Sequence, residues 1–583
     1  MRECFLKLYR CFPEGRWIQG PVGSGSRYGR VKKRMNFFKE AAEKIYRDAK
    51  KEGRLIEGRT LKEIKELALR HEGVIQTQIG SVAADSEPMS RSAPHTKNSL
   101  DHAFGEAEES LARQAVERLG REKIVCLDTI VGDGLDGVTA RFIMPENYAQ
   151  IAYGLKLLFD GPSSRIVDNP TYTIIYFTDE AFEPNKSKKL IEKDITVRLM
   201  MGSKRGEQVK ICRNTTYLGE GKKAVFMFED WRAKAIDKSG IFLHAGARRD
   251  YLWVYDLEAE RPELVETVTA ISGLTATGKT TTLCRRLARL PRESSEMIGD
   301  DGGIFGFSGD YTAFEIGGLY VKTEGLDESQ PEILRAAGSR DAFLENVAIS
   351  KYPYMPDFKD ISKTGNGRAI VARENLEIAS KGLRAEKTDH VVMLSRNPML
   401  NVISKLTPEQ ATMQFIYGES IESTGGNPEE AGSFKRVFFL DPFIAGDRLE
   451  HAMIFYEIIK RNKIRCYLAN TGTIGEKEDK VTLRQSLSTY NDLLRHQLRF
   501  STEPDFLGYH YPILCDRANL DVMNAFPLFQ NKNSLKKKVI DFLKGREAFL
   551  EGFESQYGKI PPNIRESLPH RYKEHLKENA FLE

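Results

Sequence analysis

The sequence predicts a mixed α/β fold made of two domains. From about residue 122 onward, short β-rich runs alternate with helical segments. Near residue 240 the pattern changes to a more regular alternation of strands and helices, with a glycine-rich loop between one strand and the next helix. Such alternation is typical of sheets covered by helices. The chain has 583 residues, enough for about four average domains or two large ones.

The composition is that of an ordinary globular protein. Hydrophobic residues make up 40% of the chain and charged residues 29%, which excludes a disordered or fibrous protein. The 87 basic and 83 acidic residues leave a net charge of +4, which gives no indication of nucleic-acid binding. No run of 18 apolar residues exists, so we expect no membrane-spanning helix. The seven cysteines form no C-x-x-C motif, which is typical of a reduced, cytoplasmic protein without a zinc cage.

Residues 1–34 form a basic extension with nine Lys or Arg and two Glu. They lack the apolar segment of a secretion signal. We expect them to be disordered, or Met35 to be the true start. From Met35 to Gly53 the apolar residues recur at helical spacing, which predicts an amphipathic helix: Phe37, Phe38, Ala41 and Ile45.

Residues 35–239 are expected to form the N-terminal domain. The polar stretch 75–100 is typical of a long loop. Three later runs are rich in β-formers and predict strands with helices between them: Ile124–Ile130, Tyr172–Phe177 and Lys223–Phe228.

Residues 240–583 are expected to form a C-terminal domain with a phosphate-binding loop. The run Gly273–Thr280 fits the pattern G-x-x-x-x-G-K-[ST]. A predicted strand, Val265–Ile271, precedes it. A predicted helix follows, with leucines at 283, 287 and 290 and a stop at Pro291. The alternative is an ordinary turn between a strand and a helix. The tail from residue 533 is predicted to be helical, with an interruption at Pro561-Pro562.

The loop has a clear chemical use. Backbone N–H groups at the start of a helix point at phosphate oxygens. Lys279 would reach the β- and γ-phosphates, and the Thr280 hydroxyl would ligate Mg²⁺. The predicted nucleotide-binding residues are Gly273, Leu274, Thr275, Ala276, Thr277, Gly278, Lys279, Thr280 and Thr281.

Other segments suggest a site only weakly when each is taken alone. Asp300 and Asp301 follow the loop and suit a hard cation that bridges phosphates, although adjacent acids are also common in surface turns. Upstream, Tyr217 and Gly219 precede a lysine pair that ends at Lys223. A lysine pair is usually solvated, and a lone histidine such as His244 is usually structural.

Together and in this order, the segments resemble the ATP-type phosphoenolpyruvate carboxykinase family. The family pattern is Y-x-G-E-x-K-K, a segment with a histidine, G-L-S-G-T-G-K-T-T and I-G-D-D. Shorter motifs follow, and the resemblance covers roughly residues 135–490. The matching segments are Tyr217–Lys223, His244, Gly273–Thr281, Ile298–Asp301, Gly318–Lys322 (GLYVK), Pro331–Ile333 (PEI), Leu344–Val347 (LENV), Lys363–Arg368 (KTGNGR), Leu406–Gln410 (LTPEQ) and Tyr467–Gly472 (YLANTG).

The resemblance implies two mixed α/β domains with the active site in the cleft between them. It implies conversion of oxaloacetate and ATP to phosphoenolpyruvate, CO₂ and ADP. Lys223, His244 and Asp301 would bind Mn²⁺, and this requires a neutral lysine amine. Thr280 would hold the Mg²⁺ of the nucleotide, supported by Asp300.

The resemblance also implies roles in binding the substrate and the nucleotide. Lys279 and Arg368 would neutralise charge during phosphoryl transfer, and Arg368 would also contact the substrate. Arg141, in Val138-Thr-Ala-Arg141, resembles a substrate-binding arginine, although the S-P-K-D-K that follows it in the family is absent. Tyr217 and Gly219 would line the substrate and CO₂ pocket.

Near the adenine base the sequence departs from the family pattern. Lys480 and Ser486 stand where the family has the Arg and Thr that contact the base, so adenine preference is less secure than phosphoryl chemistry. The segment Ser423–Gly432 lies where the family has a mobile lid, although a plain surface loop fits its composition equally well.

Three functions therefore stand at this point. The first is a carboxykinase that acts on small-molecule substrates. The second is a kinase on the same scaffold with another acceptor, because fold does not fix function. The third is a nucleotide-binding regulator without catalysis. The sequence indicates no nucleic-acid or membrane partner and no particular oligomeric state.

Overall fold

The computed structural model describes residues 37–57, 59–86, 95–159, 167–179, 195–256, 261–274, 277–422, 432–513 and 524–578. The basic extension and most of the expected lid therefore lie outside the described residues. The described α-helices are α1 (Phe37–Lys51), α2 (Leu61–Ala68), α3 (Glu106–Leu119), α4 (Ala149–Phe159), α5 (Gly219–Trp231), α6 (Lys279–Leu283), α7 (Pro331–Ala337), α8 (Pro408–Tyr417), α9 (Arg448–Arg461), α10 (Leu483–Leu494), α11 (Lys532–Tyr557), α12 (Pro562–Arg565) and α13 (Tyr572–Glu578).

The strands share the mixed α/β character that the sequence predicts. They are β1 (Leu55–Ile56), β2 (Val74–Gln76), β3 (Val82–Ala84), β4 (Thr96–Asn98), β5 (Ile124–Ile130), β6 (Thr139–Pro145), β7 (Tyr172–Phe177), β8 (Thr196–Met200), β9 (Gln208–Arg213), β10 (Gly240–Leu243), β11 (Ala245–Asp256), β12 (Arg261–Gly273), β13 (Ser294–Gly299), β14 (Gly303–Gly306), β15 (Tyr311–Ala313), β16 (Gly318–Lys322), β17 (Phe343–Glu345), β18 (Ala348–Ile349), β19 (Pro356–Asp357), β20 (Arg368–Ala372), β21 (Arg384–Ala385), β22 (His390–Ser395), β23 (Ile403–Leu406), β24 (Glu419–Ile421), β25 (Phe434–Arg436), β26 (Arg465–Asn470), β27 (Thr473–Ile474), β28 (Asp479–Lys480), β29 (Arg499–Phe500) and β30 (Pro512–Ile513).

Four larger sheets organise these strands. A seven-stranded sheet has the order β1-β5-β6-β7-β9-β8-β4, and a six-stranded sheet has the order β13-β11-β12-β22-β26-β23. A four-stranded sheet, β10-β14-β15-β21, and a five-stranded sheet, β16-β20-β17-β3-β2, complete the set. The five-stranded sheet combines β2 and β3, which precede residue 240 in the sequence, with three strands that follow it. The division into domains 35–239 and 240–583 therefore stays a prediction.

The seven-stranded sheet has a separate apolar core on each face. Alternate residues of a strand point to opposite faces, and on β6 the core of one face receives Phe142 while the core of the other face receives Ile143. The Phe142 face is covered by α2, α4 and α5, and the Ile143 face by α1 and α3. Arg141 therefore lies on the α1 face, opposite to α5.

Several expectations for the N-terminal region hold. Helix α1 confirms the predicted amphipathic helix and buries Phe38, Ala41 and Ile45. Strands β5 and β7 have the predicted bounds. The stretch 75–100 is not one long loop, because its described part contains β2, β3 and β4.

The run Lys223–Phe228 is not a strand but the middle of α5. All residues of this run except Lys223 are buried. When a helix is buried on nearly all sides, its sequence loses the apolar–polar alternation that separates helix from strand. The correction matters because neighbouring residues on a helix point about 100° apart, so Lys222 and Lys223 face different surroundings.

The predicted strand before the glycine-rich loop is confirmed as part of β12, but the helix after the loop is short. Helix α6 ends at Leu283. The backbone N–H groups of Leu287 and Ala288 donate to Ser295 Oγ instead of continuing the helix. Leu287 is buried while Leu290 is exposed, so the helical spacing of these leucines gave a wrong prediction.

The C-terminal tail confirms a helical region interrupted at Pro561-Pro562. Helix α11 docks through Arg546, whose guanidinium donates to both carboxylate oxygens of Glu419 and to the Tyr509 hydroxyl.

Among the helices that the structure describes, none combines the length and apolar character needed to cross a membrane.

Candidate active site

The carboxylate of Asp301 collects three basic groups that come from separate parts of the chain. Its Oδ1 lies 2.5 Å from Lys279 Nζ and 3.3 Å from His244 Nε2. Its Oδ2 lies 2.8 Å from Lys222 Nζ. These four residues are called the Asp301 cluster below.

The six-stranded sheet and helix α5 position the cluster. Strand β11 pairs with β12 on one side and with β13 on the other. His244 precedes β11, Lys279 follows the loop after β12, and Asp301 follows β13. Gly246 must remain a glycine, because a Cβ there would lie 2.2 Å from the carbonyl oxygen of Asp300.

His244 is held in place by a backbone carbonyl. Its Nδ1 lies 3.0 Å from the Leu440 oxygen, and its ring packs edge-on against Phe443 at 5.6 Å. Burial, and next the Lys279 ammonium, lower the pKa of His244. The imidazole is therefore neutral at physiological pH, the form that binds metals.

Asp300, next to the cluster in the chain, is buried, whereas the Asp301 side chain is 25% exposed. Asp300 accepts a hydrogen bond from Thr280 Oγ1 at 3.2 Å. Its other oxygen is buried without a hydrogen-bond partner in the described part of the chain. Burial and the neighbouring Asp301 raise the pKa of Asp300 to about 6. Burial also disfavours ionisation of Asp301, but Lys222 and Lys279 outweigh it and hold the pKa of Asp301 well below its usual range.

Lys222 and Lys223 occupy different places. Lys222 Nζ bridges Asp301 and Glu315, at 2.8 Å from an oxygen of each. Lys223 Nζ lies 2.7 Å from Glu220 Oε1 and 5.0 Å from the centre of the Tyr217 ring. The structure thus brings Lys222, rather than the predicted Lys223, to the Asp301 carboxylate.

A second group of site residues lies against the first through the Tyr320 ring. Lys222 Nζ lies 5.3 Å from the ring centre, and the Arg368 guanidinium carbon lies 5.6 Å from it. The Tyr320 hydroxyl donates to Glu345, whose other oxygen accepts from the Leu218 backbone N–H. Arg368 is opposite Glu345 in the strand register, and its Nε is buried without a partner among the described residues.

Arg141 is not brought to this place. Its guanidinium donates to both oxygens of Asp128, at 2.8 and 2.7 Å, and lies 4.1 Å from the centre of the Tyr46 ring. These contacts lie on the α1 face of the seven-stranded sheet, whereas Tyr217 and Gly219 begin α5 on the other face. The position does not support a role for Arg141 in binding substrate at the cluster.

The nucleotide loop is described only in part. Gly273 ends β12, Leu274 and Thr277 follow, and Gly278 has a left-handed φ of 93° before α6 begins. Thr275 and Ala276 lie outside the described residues. Thr281 Oγ1 donates to Gln330. Lys480 is exposed in the β27–β28 hairpin, and Ser486 is half-buried in α10.

Three acidic or aromatic residues at the site received no role from the sequence. They are Glu315, Tyr320 and Glu345. Tyr320 and Glu345 lie inside two of the short motifs, GLYVK and LENV. The motifs therefore mark both positions in the sequence, but they do not indicate what the two side chains do. Burial raises the pKa of Glu315 to about 7 despite the Lys222 ammonium; nothing in the sequence indicates this burial.

The chemical types of the donors around Asp301 suit a divalent cation, although their present spacing does not close around one. A neutral His244 Nε2, the Asp301 carboxylate and the unpartnered oxygen of Asp300 are suitable ligands. Within the described residues, His, Cys, Asp and Glu side chains form no group of three that could hold a metal by themselves. A lysine amine would therefore have to join them, or a carboxylate would have to move.

Comparison with known proteins identifies the family of the chain. The model of the ATP-type family described as phosphoenolpyruvate carboxykinase matches residues 96–519. A phosphoenolpyruvate carboxykinase (ATP) of Brucella suis biovar 1 (strain 1330) is 26% identical over 531 residues, which are 86% of this chain and 91% of the relative. One from Rhodopseudomonas palustris (strain HaA2) is 30% identical over 313 residues, 51% of this chain and 55% of the relative.

Proposed function

The chain belongs to the ATP-type phosphoenolpyruvate carboxykinase family, an enzyme family of carboxy-lyases, and from that membership we propose how its own residues carry out the reaction. Oxaloacetate and ATP are converted to phosphoenolpyruvate, CO₂ and ADP at the Asp301 cluster. The observation that carries the proposal is the convergence of Lys222, His244 and Lys279 on one carboxylate.

Decarboxylation leaves an enolate, and the site residues can hold the negative charges. Arg368 has a buried Nε without a partner among the described residues, and a guanidinium is suited to bidentate binding of a substrate carboxylate. A divalent cation bound by His244 and Asp301 would stabilise the developing enolate oxygen. The side chains of Lys222, His244 and Lys279 are buried, which limits the access of water that would protonate the enolate.

Phosphoryl transfer needs positioning and neutralisation of charge more than covalent chemistry. Lys279 stands at the start of α6, where a triphosphate meets both the lysine and backbone N–H groups. Thr280 is hydrogen-bonded to Asp300, so both can order a cation on the nucleotide and its water shell. We assign Mg²⁺ to this position and Mn²⁺ to the His244–Asp301 position.

A kinase acting on another acceptor is the second candidate. It is favoured by the placement of Arg141 on the opposite face of the sheet, since one expected carboxylate-binding group is missing from the cluster. A cytoplasmic location remains part of the proposal. It is supported by the described cysteines 126, 212, 284 and 466, all buried and free.

A coupled assay tests the proposal. Purified protein is given phosphoenolpyruvate, bicarbonate, Mn²⁺, Mg²⁺ and ADP, and the oxaloacetate formed is trapped by malate dehydrogenase. We expect turnover that is lost in His244→Ala, with GDP as the alternative acceptor that reports on the base. Protein that binds ATP yet forms no oxaloacetate with any acceptor would contradict the proposal and favour the kinase.

A further inference from the structure

A polar cavity of about 630 Å³ lies on the α1 face of the seven-stranded sheet. Its volume is in the range of sites that hold small molecules. Helix α1 forms one wall, the turn between β8 and β9 forms another, and Arg141 lines the floor. Helix α1 precedes the residues that match the family model, so this wall is separate from the motifs of the active site.

Four cationic side chains line the cavity. Arg141 is fixed by Asp128 and by the Val167 carbonyl oxygen. Arg205 is fixed by Asp237 at 2.6 Å. Within the described ranges, Lys39 and Arg47, on one face of α1, form only long ion pairs, at 3.9 and 3.6 Å. Their charges are therefore poorly neutralised by the protein itself.

The remaining walls supply hydrogen-bonding groups rather than apolar surface. Glu43, Asp168, Asn169, Thr171 and Thr173 line the cavity beside the cations. Oxygen-rich side chains of this kind accept hydrogen bonds from hydroxyl groups. The guanidinium groups of Arg141 and Arg205 are held by the protein's own carboxylates, whereas the Arg47 guanidinium keeps donors for a phosphate or a carboxylate. The combination selects a ligand that carries both anionic groups and hydroxyls.

We propose that this cavity is a second binding site, distinct from the Asp301 cluster, for a small hydroxylated metabolite with phosphate or carboxylate groups. Lys39 and Arg47 bind the anionic groups from α1, and Arg141 and Arg205 add positive charge from the floor and from the opposite wall. In this proposal Arg141 contributes to the second binding site and not to the Asp301 cluster.

Strand β9 connects the two places. Val209 lines the cavity, while the next residue, Lys210, points through the opposite face and lies 2.7 Å from Glu220 on α5. Glu220 in turn holds Lys223. A ligand in the cavity therefore contacts the strand whose other face supports the start of α5.

Calorimetric titration tests the site with two probes, ribose 5-phosphate for phosphate chemistry and citrate for carboxylate chemistry. The full-length Lys279→Ala protein is used, because it lacks the lysine that would face a phosphate at the cluster. We expect at least one probe to bind. Reversing the charge at the cavity with Arg47→Glu should weaken that binding about tenfold or more.

Two further variants make the test specific. Lys44→Glu carries the same charge change on α1, but Lys44 does not line the cavity, and binding should stay within about twofold of the parent. Arg205→Gln removes a cation from a different wall. It should also weaken binding of the probe, as Arg47→Glu does, but by a smaller factor because it adds no negative charge. The side chains of Arg47 and Arg205 are 68% and 42% exposed, so these proteins should fold, which circular dichroism checks. The proposal is overturned if neither probe gives heat at millimolar concentration. It is also overturned if binding is unchanged in both Arg47→Glu and Arg205→Gln.

Discussion

Nζ of Lys222 lies 2.8 Å from Oδ2 of Asp301, and this contact joins helix α5 to the end of strand β13. The same ammonium bridges to Glu315 at 2.8 Å. Burial alone would lower the pKa of Lys222, but the two carboxylates outweigh it and raise this pKa. The lysine is therefore a fixed positive charge between two acids, directly opposite Lys279 across Asp301.

Lys222→Met is expected to lower kcat/KM about 100-fold or more, because it removes one of the charges that orient Asp301. Lys223→Met, which changes the neighbouring residue on α5, is the matched comparison and should cost less. Kinetics with separate measurement of Mn²⁺ and ATP binding checks this. A severe loss in Lys223→Met with a mild one in Lys222→Met would instead support the ligand set that the family resemblance implies.

Arg368→Lys is expected to raise KM for oxaloacetate about 100-fold, because a lysine cannot form two parallel hydrogen bonds to a carboxylate. Binding of ATP should be unchanged, since Arg368 lies across the Tyr320 ring from the cluster. Steady-state kinetics and a nucleotide titration separate the two effects. The exposed Arg340, changed in the same way, serves as the control. An equal loss of ATP affinity would place Arg368 on the phosphates instead.

Much of the fold could be predicted from local patterns. Strand β5 is a short run rich in apolar and β-branched residues, and α1 has a clear apolar face, so both were predicted correctly. Helix α5 was mistaken for a strand because tertiary burial on nearly all sides erased its periodicity. Helix α6 was predicted too long because the backbone N–H groups of Leu287 and Ala288 donate to Ser295 Oγ, an interaction that the spacing of the leucines does not indicate.

The candidate site was predictable where a motif carries its own chemistry. Lys279 and Thr280 belong to one strand–loop–helix unit, and Asp300 and Asp301 follow β13, which is the next strand along the chain and lies in the same sheet. The choice between Lys222 and Lys223 depends on the rotation of α5 in its surroundings, which spacing does not specify. The position of Arg141 depends on which face of β6 packs against α1. Both faces of β6 are largely apolar in the sequence, so the pattern does not predict which face that is.

Glu293 is expected to stabilise the protein at neutral pH. It accepts hydrogen bonds from the backbone N–H groups of Trp253, Arg289 and Leu290 and from the Arg495 guanidinium at 2.6 Å. Burial would raise the pKa of this carboxyl, but Arg495 and the N–H groups outweigh it and lower the pKa from 4.5 to about 2. A depressed pKa contributes stability above the unfolded value, roughly 3 kcal/mol here.

Glu293→Gln should therefore reduce the free energy of unfolding most at pH 7. The difference from the parent protein should shrink as pH falls below about 4.5, because the parent loses this contribution between its unfolded and folded pKa values. Urea unfolding at several pH values measures it. A difference that stays constant down to about pH 3 would show that hydrogen bonding, and not ionisation, makes the contribution.

Arg546→Met is expected to destabilise the docking of the C-terminal helices. Both the Arg546 side chain and its partner Glu419 are buried, at 0% and 2% exposure, and removal of one member of a buried pair costs about 3–5 kcal/mol. Of its basic partners in the described part of the chain, Glu419 would keep Arg436, at 3.2 Å. The double variant Arg546→Met with Glu419→Gln should recover part of this loss, since no unpaired carboxylate remains buried.

Denaturant unfolding of the single and double variants measures the coupling between the two residues. Arg571→Met on the same tail is the control, because Arg571 is 46% exposed and its ion pairs should contribute less than about 1 kcal/mol. Since α11 packs Leu535, Val539 and Phe542 into the core of the C-terminal region, a loosened tail should also unfold that region cooperatively. If Arg546→Met behaves like Arg571→Met, the tail is held by its apolar contacts and the buried pair contributes little.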